Sequence, residues 1–272
     1  HQRLGASLAE EMDAEFCGVV NRHFPDGERY IRVLMDVNEQ DVVVIQNTFP
    51  DKKIVELLLI LQAVKEAGAK TITCVIPYMG YSRQERIFQS GEARSAKAIA
   101  SVIGGMCDRV FTINVHTPEI LKFFGCEAND INGSREVVRY LKGFGPDMVI
   151  APDEGSRDRC TLAADLLKVP VHVMKKVRID GRTVETSSGQ INVKGSTAVI
   201  LDDIISTGGT IATAANILRD GGAERVFAAC THGLFIEDAA NRLRVCDDIL
   251  SSDTLEGVYT RFSVAPAIAD AL

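Results

Sequence analysis

Two hydrophobic periods alternate along the chain, and the switch between them occurs twice in the same order. Leu4 to Glu15 carries apolar residues at helical spacing and predicts an amphipathic helix running on into short strand-like stretches. Val42-Val43-Val44-Ile45 is an unbroken apolar run of the kind a parallel strand needs when both its faces are covered. Asp51 then predicts an N-cap, with Ile54, Leu57, Leu58 and Leu61 forming one apolar face of a helix from about Lys52 to Ala67. Gly68 ends that helix, and Thr71 to Ile76 reads as the next strand. The second half repeats the design: Ala198 to Leu201 is a strand, Ile211, Ala214, Ala215 and Leu218 make a helix face, Gly222 stops it, and Val226 to Cys230 is the following strand. Ala67 to Cys74 and Gly221 to Ala228 run in parallel as similar stretches. The prediction is an α/β fold of two tandem, related domains, each a mostly parallel sheet flanked by helices.

Gly and Pro cluster at Lys142-Gly143-Phe144-Gly145-Pro146, just before the strand Met148 to Ala151. That cluster divides the chain into domains 1–142 and 143–260, with a terminal helix at about 261–272 expected to pack back on the first. Pro25-Asp26-Gly27 is a turn, and alternation at Tyr30 to Val33 predicts a strand leaving it, so 21–33 reads as a hairpin. Lys175 to Gln190 is polar, charged and without apolar periodicity, a surface loop long enough to serve as a lid.

Composition narrows the class. With 272 residues, 46% hydrophobic and 25% charged, the chain is globular, and its net charge of −7 argues against non-specific binding of nucleic acid or an anionic membrane. Seven scattered cysteines form no C-x-x-C pair, which fits reduced thiols in a cytoplasmic protein. The longest apolar stretch, Leu57 to Leu61, is far too short to span a bilayer, and no signal-peptide pattern appears. The chain begins at His1 without Met, already in a helical pattern, so a preceding segment is expected.

The chemistry gathers at strand ends. Asp202 and Asp203 close the apolar run from Thr197, and Ser206-Thr207-Gly208-Gly209-Thr210 opens the helix that follows. Such a loop aims backbone N–H groups at a phosphate, because Gly takes positive φ and brings no Cβ, and the helix start adds partial positive charge. The two carboxylates can accept from a vicinal diol or hold Mg²⁺. In the first half Gln46-Asn47 stands where the acids would be and the Gly-Thr loop is missing, so one sugar-phosphate site per chain is expected. No G-x-x-x-x-G-K-[ST] motif exists, so a nucleotide must bind elsewhere. Arg83 and Gln84, after the strand Thr71 to Ile76, supply a forked cation and an amide suited to a polyphosphate, although Arg83 to Arg86 reads equally as a solvated loop. His116 and Asp153 each follow an apolar strand, where a structural histidine and a plain N-cap are the bland readings and a metal or ligand role the sharper one. Lys175, Lys176 and Arg178 start the expected lid.

Taken together, Phe24-Pro25-Asp26-Gly27-Glu28, Pro77 to Gln84, Val115-His116, Pro152-Asp153, Lys176-Val177-Arg178 and Asp202 to Thr210 resemble the ribose-phosphate diphosphokinases, also called phosphoribosyl-pyrophosphate synthetases, of the phosphoribosyltransferase superfold. Ser263 to Ala269 resembles that family's C-terminal helix. The resemblance implies transfer of the β,γ-diphosphoryl group of ATP to ribose 5-phosphate, with Mg²⁺, in a homo-oligomer. By the same resemblance Asp26 and Glu28 reach the adenine from a neighbouring subunit, and Phe24, Gly27, Arg83, Gln84 and His116 belong with them to the ATP-binding set. His116 and Asp153 match Mg²⁺-associated positions, Lys176 and Arg178 are the catalytic cations, and Asp202, Asp203, Ser206, Thr207, Gly208, Gly209 and Thr210 hold ribose 5-phosphate. Ser206 departs from the pattern, which commonly has a third acid there. A nucleobase phosphoribosyltransferase or a non-catalytic regulatory homologue are the competing readings.

Overall fold

The computed structural model describes residues 2–178, 184–187 and 192–272, with side chains except along 175–178 and 184–187. Two compact units divide the chain between Asn132 and Gly133, and residues 265–272 return to the first.

The first unit contains α1 (Gln2–Glu11), β1 (Val19–His23), β2 (Arg29–Val33), β3 (Asp41–Ile45), α2 (Lys52–Glu66), β4 (Thr71–Ile76), α3 (Ser95–Gly104), β5 (Arg109–Ile113) and β6 (Glu127–Ile131). β1 and β2 form the antiparallel hairpin, His23 opposite Arg29. β3, β4, β5 and β6 lie side by side in that order, all parallel. α2 buries Leu57, Ile60, Leu61 and Val64, while Ile54 and Leu58 are only half-buried, so its inward face is turned from the expected one. The reason is that α2 serves two neighbours, the sheet and β2 of the hairpin. Towards the hairpin it presents Glu56, 2% exposed, which takes Arg29 at 3.0 Å and Lys53 at 2.6 Å. Burial opposes the Glu56 charge, yet Lys53 and Arg29 hold its carboxyl below the usual range. Asp51 does not cap α2; its Oδ1 accepts from the Tyr81 hydroxyl at 2.7 Å instead.

The second unit contains α4 (Ser134–Leu141), β7 (Met148–Ala151), α5 (Arg157–Leu167), β8 (Val171–Val173), β9 (Lys175–Arg178), β10 (Val184–Ser187), β11 (Thr197–Ile205), α6 (Gly209–Asp220), β12 (Arg225–Gly233), α7 (Ala239–Arg242), β13 (Asp248–Ser252) and β14 (Thr260–Phe262). Six strands form one parallel sheet in the order β14-β13-β12-β11-β7-β8. The break between the units precedes the Lys142–Pro146 cluster because α4 packs on α5, β12 and β14. Within β11, Ala198 and Ile200 face one core with Ile211, Ala215 and Leu218 of α6, and Val199 and Leu201 face another with Ala163 and Ala164 of α5. That two-sided burial is why the strand reads as an unbroken apolar run.

Three expectations change in this unit. β11 does not stop at Leu201 but continues through both acids, pairing Ile204 with His232 and Ile205 with Gly233 on β12. The stretch expected to be a loop holds an antiparallel ribbon, Ser187 opposite Lys175, while 179–183 and 188–190 of the expected lid lie outside the described residues. Residues 260–262 form β14, held by the pairing of Phe262 with Ser252, and helix α8 spans only Ala265–Ala269, packed on α1. Among the described residues no helix is long and apolar enough to cross a membrane.

The last residue of α3, Gly104, lies so close to the Phe124 carbonyl that a Cβ would overlap that backbone oxygen. Gly104→Ala is therefore expected to cost about 1–3 kcal/mol through overpacking. Gly143→Ala, which meets nothing within 4 Å, should leave the melting temperature within about 2 °C. Thermal unfolding of the two variants beside the parent checks the contrast.

Candidate active site

In the second unit the acids of β11 sit beside the segment that follows β7, its neighbour in the sheet. Asp202 Oδ1 accepts from the Ser156 hydroxyl at 2.7 Å, from Arg159 Nη1 at 3.0 Å and from the Asp203 amide at 2.9 Å. Asp203 Oδ1 lies 3.0 Å from the same Arg159 nitrogen and accepts from the Ile204 amide at 2.9 Å. The Ser156 hydroxyl is also 3.3 Å from Asp153 Oδ1, so Asp153 joins the acid pair through one side chain. Burial, and then the negative charge of Asp203, push the Asp202 carboxyl up to about 7, against the pull of Ser156 and Arg159.

Past Ile205 the chain turns through Ser206, Thr207 and Gly208 into α6. Gly208 adopts φ +74°, and a Cβ there would press on the Leu243 side chain at 3.0 Å, so both conformation and space demand glycine. The first bond within the helix runs from the Ala212 amide to the Gly208 carbonyl at 2.8 Å. The amides of Gly209, Thr210 and Ile211 come before it, at a helix terminus of the kind that can accept an anion. The loop is braced from outside: Arg242 Nη1 donates to the Thr207 carbonyl at 3.0 Å, and the Ile236 amide to the Ser206 carbonyl at 3.1 Å.

The corresponding strand end in the first unit has become structural. The Gln46 amide donates to Glu56 at 3.0 Å, Asn47 Oδ1 accepts from the Tyr78 amide at 2.7 Å, and both residues are buried. Beyond β4 lies a cavity of about 390 Å³ lined by Phe49, Asp51, Tyr78, Tyr81, Arg83 and Gln84. Arg83 is exposed, whereas Gln84 turns towards Glu92, 3.3 Å away. His116 follows β5 in a turn held by Asp130, whose Oδ1 accepts from the Thr112 hydroxyl at 2.6 Å and the Val115 amide at 2.9 Å. Two buried side-chain oxygens have no partner among the described residues, Glu85 Oε2 and Thr117 Oγ1, and they adjoin Gln84 and His116 respectively. At the hairpin, Phe24, Asp26, Gly27 and Glu28 are all exposed; the Glu28 amide donates to Asp26 Oδ1 at 3.0 Å, and Gly27 has φ +93°.

Asp153, Asp202, Asp203 and the Ser206–Thr210 loop thus belong to the second unit, and the hairpin tip, Arg83, Gln84 and His116 to the first. Lys176 and Arg178 lie on β9, with side chains outside the description. No group of three or more His, Cys, Asp and Glu side chains forms a ready metal cage among the described residues. Ser156, Arg159 and Arg242 are absent from the sequence-based assignment. A signal for the first two existed, since Asp153 closes a strand and the first turns of the next helix can reach the neighbouring strand end.

A parallel sheet with acids at one strand end, followed by a glycine-threonine loop and a helix N-terminus, defines a phosphoribosyltransferase-type α/β protein. Residues 1–106 match the N-terminal domain of ribose phosphate pyrophosphokinase and residues 132–264 the phosphoribosyl transferase domain. The ribose-phosphate pyrophosphokinase of Methanopyrus kandleri is 39% identical, covering 99% of this chain and 95% of that protein. That of Methanosarcina mazei is 41% identical, covering 100% and 92%. The crystal structure of phosphoribosylpyrophosphate synthetase from Mycobacterium smegmatis superposes with a TM-score of 0.85 at 28% identity, over 100% of this chain and 94% of that one. The chain belongs to the ribose-phosphate pyrophosphokinase family.

The raised Asp202 carboxyl gives a pH test. Between the ordinary carboxyl value of about 4 and the folded value of about 7, the folded protein keeps a proton that the unfolded chain has released. Stability therefore falls as pH rises through that window. Asp202→Asn removes this contribution, so the stability of the variant relative to the parent should climb from about pH 4 to about pH 7 and level off above. Urea unfolding across the range reads the difference, and a pH-independent gap contradicts it.

Proposed function

We propose that this chain transfers the β,γ-diphosphoryl group of ATP to the C1 hydroxyl of ribose 5-phosphate, yielding phosphoribosyl pyrophosphate and AMP for nucleotide biosynthesis. The C1 oxygen attacks the β-phosphorus, the bond from that phosphorus to the α,β-bridging oxygen breaks, and AMP departs with the bridging oxygen. The observation that carries the reading is the second-unit constellation of two converging carboxylates and a glycine-gated helix terminus. Asp202 and Asp203 accept from the ribose hydroxyls, and Ser206, Thr207, Gly208, Gly209 and Thr210 take the 5-phosphate. Ser206 supplies a hydroxyl where an acid is common, which suits a phosphate oxygen better than a cation.

Arg83 and Gln84 hold ATP, a role supported by the exposed Arg83 guanidinium and by the cavity that both residues line. Phe24, Asp26, Gly27 and Glu28 form an exposed tip suited to reaching a neighbouring copy's adenine, so a homo-oligomer completes the ATP site. Seven free cysteines support a cytoplasmic setting. His116 in the first unit and Asp153 in the second are each matched to a Mg²⁺-associated position, and the ion when bound would supply charge neutralisation at the phosphates. The lack of a pre-formed cage fits an ion that keeps several waters and binds through one or two protein groups plus substrate phosphates. Lys176 and Arg178 stabilise charge that develops in transfer, where positioning and electrostatics matter more than covalent chemistry.

Incubation with ATP, ribose 5-phosphate and Mg²⁺ should release AMP in step with phosphoribosyl pyrophosphate. Pyrophosphate released from phosphoribosyl pyrophosphate and a purine base, with no AMP in the first assay, would establish a phosphoribosyltransferase instead. Lys176→Ala is expected to lower kcat by about 100-fold or more while KM for ribose 5-phosphate changes little. Parental turnover in that variant overturns the role of Lys176, and an equal defect in Lys175→Ala moves it by one residue.

A further inference from the structure

Successive side chains of a strand project to opposite faces, so two neighbouring acids should diverge, and like charge separates them further. Asp202 and Asp203, both on β11, instead bring their Oδ1 atoms to within 3.0 Å of a single nitrogen, Nη1 of Arg159. The amides of Asp203 and Ile204 fix the same two oxygens from the backbone side, at 2.9 Å each. Those bonds orient each carboxylate separately. Arg159 reaches both members of the pair through that one nitrogen. It comes from α5, whose Cys160, Ala163 and Ala164 are already fully packed in the core, so the helix does not depend on the guanidinium for its place.

A vicinal diol presents two hydroxyls a few ångströms apart and needs two acceptors that converge on them. We infer that Arg159 is the positioning residue that turns two strand neighbours into such a convergent pair and so makes the site selective for ribose over a deoxyribose. The inference rests on the reading that this loop takes ribose 5-phosphate. One planar guanidinium engages one oxygen of each acid, leaving recognition of the diol to the remaining carboxylate edges. The Ser156 hydroxyl, 2.7 Å from Asp202 alone, adds to one member of the pair without linking it to the other. A lysine in place of Arg159 would keep the charge but replace the planar guanidinium, which fixes where Nη1 sits, with a compact, rotating ammonium.

The test is calorimetric binding of ribose 5-phosphate and of 2-deoxyribose 5-phosphate to the full chain and to Arg159→Ala and Arg159→Lys. The parent should prefer ribose 5-phosphate by 10-fold or more. Arg159→Ala should bring that ratio to within about twofold of unity, chiefly by weakening ribose 5-phosphate, and Arg159→Lys should restore part of it. In steady state the same variants should raise KM for ribose 5-phosphate and leave KM for ATP unchanged. If Arg159→Ala fails to fold, the lysine variant decides: it must show a preference reduced from the parental one. A parental ratio in either folded variant overturns the role of Arg159. A parent that binds ribose 5-phosphate selectively yet forms no AMP contradicts the proposed reaction and leaves this role standing.

Discussion

A strand buried on both faces that carries two adjacent carboxylates near its C-terminal end is an electrostatic problem, and the second unit is arranged around its solution. Desolvation and mutual repulsion both favour the neutral forms, as the raised Asp202 carboxyl records. Arg159, Ser156 and two backbone amides oppose that tendency at close range. Everything needed to present the acids follows: β11 must extend beyond its apolar run, β7 must lie beside it, and α5 must start where its first turns can reach across. The Ser206–Thr210 loop, proposed to take the phosphate, then starts from a strand end whose position is already fixed.

The first unit shows the same β–α–β arrangement with the problem removed. Gln46 and Asn47 are neutral, and both use their amides inside the fold, one on Glu56 and one on the Tyr78 backbone. Buried amides that find partners cost little, whereas a buried acid pair is costly to keep unless a ligand or a cation uses it. Charge is retained in one copy and replaced in the other, so only the second unit keeps a strand end with carboxylates to offer a ligand. The charge kept in the first unit is Glu56, and it anchors the hairpin through Arg29.

Much of this was legible because it depends on local rules. Continuous apolar runs marked β7 and the start of β11, which are buried on both faces, whereas β3 carries the same run as an edge strand that leaves Val43 exposed. Gly68 and Gly222 marked helix ends, and both adopt positive φ. What escaped depends on partners distant in sequence. The extension of β11 through Asp202 and Asp203 comes from pairing with β12, which no local pattern encodes. Asp51 is an ordinary N-cap by type, yet Tyr81, distant in sequence, claims its carboxylate. The inward face of α2 turned because a buried ion pair with the hairpin outweighs the simple apolar stripe. Arg159 is one charge among several in Arg157-Asp158-Arg159, and only the neighbouring strand gives it meaning.

The central claim is that the chain has one sugar-phosphate site, at the charged strand end, while its neutral counterpart binds none. It is tested most directly by counting ribose 5-phosphate bound per chain in the presence of Mg²⁺ and an ATP analogue with a methylene bridge between the α and β phosphorus atoms. One equivalent, abolished by Gly208→Val and retained in Asn47→Ala, is the predicted result. Two equivalents, or one that survives Gly208→Val, would contradict it.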